Sequence, residues 1–222
     1  MLHIYDYTED MLKEYLVSSG EKPFRAKQLI EWLYRHKIES FDEISNMKKD
    51  FIEKLKKEFV LDKLECVTLQ ESSDGTKKFL FRLADGNLIE TVLMTHEYGY
   101  SVCVTTQVGC NMGCQFCASG MKKKLRNLET HEIVLQILTV AKMLDIRVSH
   151  TVIMGIGEPF DNYNNVINFM KIINHPLGLE IGARHISIST CGVVPGIKRF
   201  SKEMTQYNLS SSISTLSPFF SK

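Results

Sequence analysis

From about residue 100 onward, strand-like and helix-like segments alternate, and this alternation restricts the fold more than any other feature of the chain. "YSVCVTTQ" reads as a strand and "ETHEIVLQILTVAKML" as a helix over 129–144, with Thr130 its expected cap. "VSHTVIMG" is a strand, "YNNVINFMKIIN" a helix, "ARHISIST" a strand, "GIKRFSKEM" a short helix, and "YNLSSSIS" a fourth strand. Strands separated by helices pair in parallel through right-handed crossovers. Sheets and barrels of that kind hold their ligands beyond the C-terminal ends of the strands.

The residues before this region follow other periods. Residues 1–62 read as a helical module. "YTEDMLKEYLVSSG" has Thr8 as an N-cap and a Gly stop. "KPFRAKQLIEWLYRHKI" carries an apolar stripe of Phe24, Leu29, Ile30, Leu33 and Tyr34, and "NMKKDFIEKLKKEFV" spaces Phe51, Leu55 and Phe59 by fours. The lysines of the last segment read as a solvated face, with RNA contact the sharper alternative. Residues 63–97 hold two Asp-Gly turns, Asp74-Gly75 and Asp85-Gly86, between strand-like runs, and predict a three-stranded β-meander linker. Residues 98–222 form the alternating core. No internal repeat and no low-complexity linker is present.

Composition excludes some classes. The sequence starts "MLHIYDYTED", with no basic n-region or apolar run, and has no stretch near the roughly 20 apolar residues that span a bilayer. A cytoplasmic protein without a membrane partner is expected. The net charge of +1 does not by itself argue for nucleic acid, so local basic clusters must carry that argument.

In a reducing compartment, clustered cysteines bind metal or do chemistry rather than form disulfides. Three of the six cysteines, Cys110, Cys114 and Cys117, lie in "VGCNMGCQFCASG", directly after a strand. Structural zinc sites take four ligands, and the chain offers no second pair near these three. A cubane iron–sulfur cluster held by three thiolates leaves one iron open. A zinc site completed by a distant residue is the alternative. Gly109, Gly113 and Gly120 let the backbone wrap closely.

The spacing C-x3-C-x2-C resembles that of radical S-adenosylmethionine (SAM) enzymes. "ETVLM", "CVTTQVGCNMGCQFCASG", "MGIGEP", "NYNNV" and "ISISTCGVVPGIKR" together resemble the RNA adenine C2-methyltransferases of the RlmN type, from about residue 20 to 209. The C8-methylating Cfr enzymes are close relatives, and Pro159 favours the RlmN type. The resemblance implies an α/β fold, a partial (β/α) radical SAM barrel preceded by an RNA-facing helical module and the meander. It implies a [4Fe-4S] cluster on Cys110, Cys114 and Cys117, with SAM on its open iron. The implied substrates are 23S rRNA and transfer RNA, the electron donor a small redox protein, and the enzyme a monomer.

Residue by residue, the resemblance makes Glu90 the acceptor of the adenine C2 proton and Cys103 the thiol that resolves a covalent RNA adduct through a disulfide. Gly157 and Glu158 match the SAM-binding turn, and Ser189 a further SAM contact. In this chemistry one SAM methylates a cysteine and a second yields the radical that activates the methyl group. Cys191 has no family role and reads as a packing residue. "MKKKLRN" (121–127) reads as a phosphate contact or as a solvated loop. His36, His131, His150 and His185 read as structural or surface residues.

About four core strands are legible. The barrel is therefore expected to be incomplete, because the sequence ends before the family's later SAM contacts and its C-terminal methyl-carrying cysteine. A truncated form, whose activity is in doubt, and a non-catalytic iron–sulfur or RNA-binding fragment are both compatible with that ending.

Overall fold

The computed structural model describes residues 1–114, 117–203 and 206–211. The N-terminal module closes on itself: β1 (Leu2–His3) pairs in parallel with β2 (Phe59–Val60). Between them lie α1 (Glu9–Ser18), α2 (Arg25–Ile30) and α3 (Lys49–Glu58). The Thr8 hydroxyl accepts the Met11 N–H at 3.4 Å, as the capping pattern predicts. Leu29, Ile30, Leu33, Tyr34, Phe51, Leu55 and Phe59 are buried. Phe24 is 53% exposed, because it precedes the helix instead of sharing its inner face.

Four strands then form hairpin after hairpin: β3 (Glu65–Glu71), β4 (Lys77–Arg82), β5 (Leu88–His96) and β6 (Gly99–Cys103). Both Asp-Gly turns place glycine at positive φ, 82° for Gly75 and 84° for Gly86. A small antiparallel pair follows, β7 (Gln107–Val108) with β8 (Arg126–Asn127). Next come α4 (Thr130–Met143), β9 (Val148–Ile153), α5 (Tyr163–Asn174), β10 (Ile186–Thr190), α6 (Val194–Phe200) and β11 (Asn208–Ser211). The rest of "YNLSSSIS" lies outside the described residues.

The meander and the core share one seven-stranded sheet, in the order β11-β10-β9-β6-β5-β4-β3. Pairing is antiparallel from β3 to β6 and parallel from β6 through β9 and β10 to β11. β6 is the junction. Four parallel strands joined by helices make the parallel sheet that the alternation predicts, in keeping with the partial barrel the resemblance implies, and the mixed sheet follows from short turns upstream and helical crossovers downstream.

α4 is apolar around most of its circumference because it is covered on two sides, by the sheet with α5 and by the N-terminal module. Its cap differs from the expectation. Glu129, not Thr130, is the N-cap, in a capping box with Glu132, while the Thr130 hydroxyl reaches Asn165. Asp6 accepts the His131 N–H at 2.7 Å and pairs with its Nδ1 at 3.0 Å, and Glu9 meets His175 Nε2 at 2.6 Å. Both contacts bind the N-terminal module to the core. Among the described residues no helix is long and apolar enough to cross a membrane.

Candidate metal and cofactor centre

The strand register decides which side chains share the sheet's open face. Val92 pairs with Cys103, Cys103 with Val152, and Val152 with Ser187, so the four lie in one row. Glu90 is two residues from Val92 and Ser189 two from Ser187, so both project from the face that carries Cys103. The first residue of the row above, Glu90, pairs with Leu80, and Lys78 of β4 reaches its carboxylate at 3.2 Å. Sequence reasoning missed Lys78, because the partners are 12 positions apart and meet only through the hairpin register.

Beyond the C-terminal ends of the parallel strands, one cleft is lined by Cys110, Cys114 and Cys117 and by Gly157, Glu158 and Ser189. The structure thus brings together the three thiols and the three residues singled out for SAM. Met112, Ser119, Met154, Gly155, Thr190 and Cys191 complete the lining. Glu90 and Cys103 do not line this cleft; they lie on the open face of the neighbouring strands.

The cysteine loop is clasped by its own return. The Cys110 N–H donates to the Lys122 carbonyl at 3.0 Å, and the Lys124 N–H to Asn111 Oδ1 at 3.0 Å. At Gly109, φ is 76° and a Cβ would stand 2.2 Å from the Lys123 carbonyl, so only glycine fits.

The turn after β9 is fixed from below. Gln107, wholly buried, accepts the Glu158 N–H at 2.9 Å and donates to Asn127 and Asp161. Gly157 has φ 111°, and a Cβ there would meet the Gln107 side chain at 2.7 Å. The buried Glu158 carboxylate accepts the Phe160 N–H at 3.0 Å, the Thr190 hydroxyl at 2.8 Å and the Cys191 N–H at 2.9 Å. It therefore ties the end of β9 to the end of β10. The Cys191 thiol also hydrogen-bonds to this carboxylate, which thereby meets a fourth donor.

Thiol electrostatics follow burial. Burial pushes the Cys103 thiol up, against a weaker effect of the Met154 backbone. Burial also raises Cys110. Cys191 is pushed up to about 12, by burial first, then by the Glu158 carboxylate and the Cys114 and Cys110 sulfurs. It is not a packing residue remote from the chemistry.

The donor set suits a polynuclear group. Zinc bonded to thiolates at about 2.3 Å needs sulfurs within about 4 Å of one another. Among the described residues the only group of three or more potential ligands whose atoms all lie within 4.8 Å of one another is His3, Asp62 and His131; the three cysteine sulfurs are not so grouped. The histidine set does not suit a single ion either. Its two rings stack 4.1 Å apart at 4°, and parallel rings cannot both aim in-plane lone pairs at one point.

The basic run 121–127 divides. Lys124 is paired with Asp161 at 2.7 Å. Arg126 grips Glu132 through both terminal nitrogens at 2.7 Å and reaches Asp85 through Nε at 2.7 Å. Lys122 and Lys123 are exposed beside the cysteine loop.

Comparison with known proteins agrees with this geometry. Residues 2–61 match the family model described as the ribosomal RNA large subunit methyltransferase N-terminal domain, and residues 104–217 match the radical SAM superfamily. The chain is 56% identical over 216 residues to a probable dual-specificity RNA methyltransferase RlmN of Lactococcus lactis subsp. cremoris, covering 95% of this chain and 59% of that protein. It is equally similar, 56% over 215 residues, to the protein of the same description from Listeria welshimeri. A crystal structure of a radical SAM methyltransferase from Sphaerobacter thermophilus superposes with a TM-score of 0.85 at 37% identity, over 95% of this chain and 63% of that one. The chain spans about three fifths of the length of these curated relatives.

Proposed function

Because the chain belongs to the radical SAM superfamily, in its RlmN-type branch, we propose that it provides the cluster, SAM and RNA sites of an RNA methyltransferase acting on C2 of an adenine. The substrate is 23S rRNA, with transfer RNA a second substrate. The observation that carries this reading is the single cleft at the parallel strand ends, where three thiols, a carboxylate-locked turn and Ser189 converge.

Cys110, Cys114 and Cys117 hold a [4Fe-4S] cluster. When bound, the cluster and SAM supply a carbon radical able to take hydrogen from an unactivated methyl group. The chain's residues do the rest. Gly157 lets the turn pack directly on Gln107 and present its backbone to the cleft. The Glu158 carboxylate in the cleft suits an ammonium, and its hydrogen bonds prevent the carboxylate from turning away.

On the open face, Glu90 takes the adenine proton. Lys78, 3.2 Å from the carboxylate, orients it on that face. Cys103 resolves the RNA adduct. Its partly buried thiol, raised by burial, must first lose a proton before it attacks. Lys122 and Lys123 meet RNA phosphates next to the site. A small reduced protein delivers the electron, and the enzyme acts as a monomer.

The test is anaerobic reconstitution with iron and sulfide, followed by incubation with methyl-labelled SAM, reductant and unmodified ribosomal RNA. Bound iron and labile sulfide, SAM cleavage and label on adenine C2 are expected. Zinc without sulfide would overturn the cofactor assignment, and label on C8 would move the chain to the Cfr reaction. A cluster that never cleaves SAM would reduce the chain to a binding fragment.

A further inference from the structure

Three thiolates leave one iron of a cubane cluster without a protein ligand, and Cys191 is a fourth cysteine at the same cleft. It lines the same cleft as Cys110, Cys114 and Cys117. Its position is built rather than incidental. Its N–H is held by Glu158 at 2.9 Å, and the following turn is pinned by Thr190 Oγ1, which accepts from the Gly192 N–H at 3.2 Å and the Val193 N–H at 3.3 Å. Gly192 has φ 106°, and a Cβ there would meet nothing within 4 Å, so glycine serves the backbone turn and not a tight fit. The turn holds the thiol at the end of β10, in the cleft that the cysteine loop also lines.

Resting on the cluster assignment above, we propose that Cys191 ligates the fourth iron in the absence of SAM and is displaced when SAM binds. The exchange is balanced without an oxidant. On ligation the S–H bond breaks, an iron–sulfur bond forms, and the proton passes to the Glu158 carboxylate or to water. A coordinating metal deprotonates a thiol outright, whatever its affinity for protons in the empty site. When the SAM amino and carboxylate groups take the iron, the iron–sulfur bond breaks and the thiol recovers its proton. The ligand would protect the most exposed iron between turnovers, and the cost of displacing it would weaken apparent SAM affinity.

The test is Mössbauer spectroscopy of the full chain reconstituted with isotopically enriched iron, compared with Cys191→Ser and Cys191→Ala. Cys191→Ser keeps a polar side chain beside Glu158 and guards against a folding artefact, checked by circular dichroism. Without SAM, the wild-type irons should all show sulfur ligation, and one should shift when SAM is added. In both variants that one iron should stand apart before SAM is added. Mild oxidation without SAM should convert the variants, but not the wild type, to the three-iron form seen by electron paramagnetic resonance. Spectra that match in wild type and variants would overturn the proposal and leave the cluster assignment intact. A wild-type chain that takes up no iron and sulfide would overturn both.

Discussion

Gln136 satisfies both backbone groups of Thr105: its Oε1 accepts the Thr105 N–H at 2.8 Å and its Nε2 donates to the Thr105 carbonyl at 2.9 Å. A wholly buried side chain of α4 thus stands in for a sheet neighbour just where the chain leaves β6 for the cysteine loop. The same Oε1 accepts the Thr91 hydroxyl at 2.8 Å. Replacement by Leu leaves these groups without partners in an apolar setting. Gln136→Leu should therefore cost about 3 kcal/mol, read from denaturant midpoints. Unchanged stability would mean that the clamp is dispensable.

Gly157→Ala tests the SAM turn. The new methyl meets Gln107 at 2.7 Å in a backbone with φ 111°, so strain of about 1–3 kcal/mol is expected. The thermal shift produced by SAM should disappear while the iron content of the reconstituted protein is retained. Undiminished SAM binding would remove this turn from the site.

The basic run separates into two effects. Arg126→Ala leaves the buried Glu132 carboxylate unpaired and should cost about 3 kcal/mol of stability. Lys122→Glu with Lys123→Glu should leave stability within about 0.5 kcal/mol, since both residues are exposed. The double variant should instead weaken RNA binding and flatten its salt dependence. The opposite pattern in filter binding and thermal melts would reverse these assignments.

The contact between the N-terminal module and the core should depend on pH. Burial disfavours the His131 charge, yet the hydrogen bond to Asp6, with Asp62 and Glu132 behind it, raises the residue above its ordinary value. Stabilisation from a raised histidine is complete below about pH 6.5 and is lost as pH climbs through the folded value. Melting midpoints should therefore fall across neutral pH for this reason, and Asp6→Asn should remove that part of the slope. An identical slope in the variant would dismiss the pair as a contributor.

Much of the fold was legible because its signals are local. Thr8 caps α1, the two Asp-Gly turns make the meander, and the alternation after residue 100 yields parallel strands. The cysteine spacing likewise placed three thiols in one loop. What was not legible depends on partners distant in sequence. Nothing near Arg126 announces Asp85, and nothing near Glu90 announces Lys78. Thr130 was a sound cap by residue type, but a capping box built by Glu129 and Glu132 competes for the same helix end. Cys191 looked like filler because only the meeting of β9 and β10 brings it to the thiols.

The place of β6 has a kinetic consequence. On one side it pairs with β5 across a turn of a few residues, and on the other with β9, across the whole cysteine loop and α4. The first pairing has low contact order and forms early; the second waits for a long loop to close. Once β9 zips onto the waiting edge of β6, the segment carrying the three thiols is tethered at both ends. Part of the entropy of closing that long loop has then been lost in sheet formation, before the loop meets any ligand.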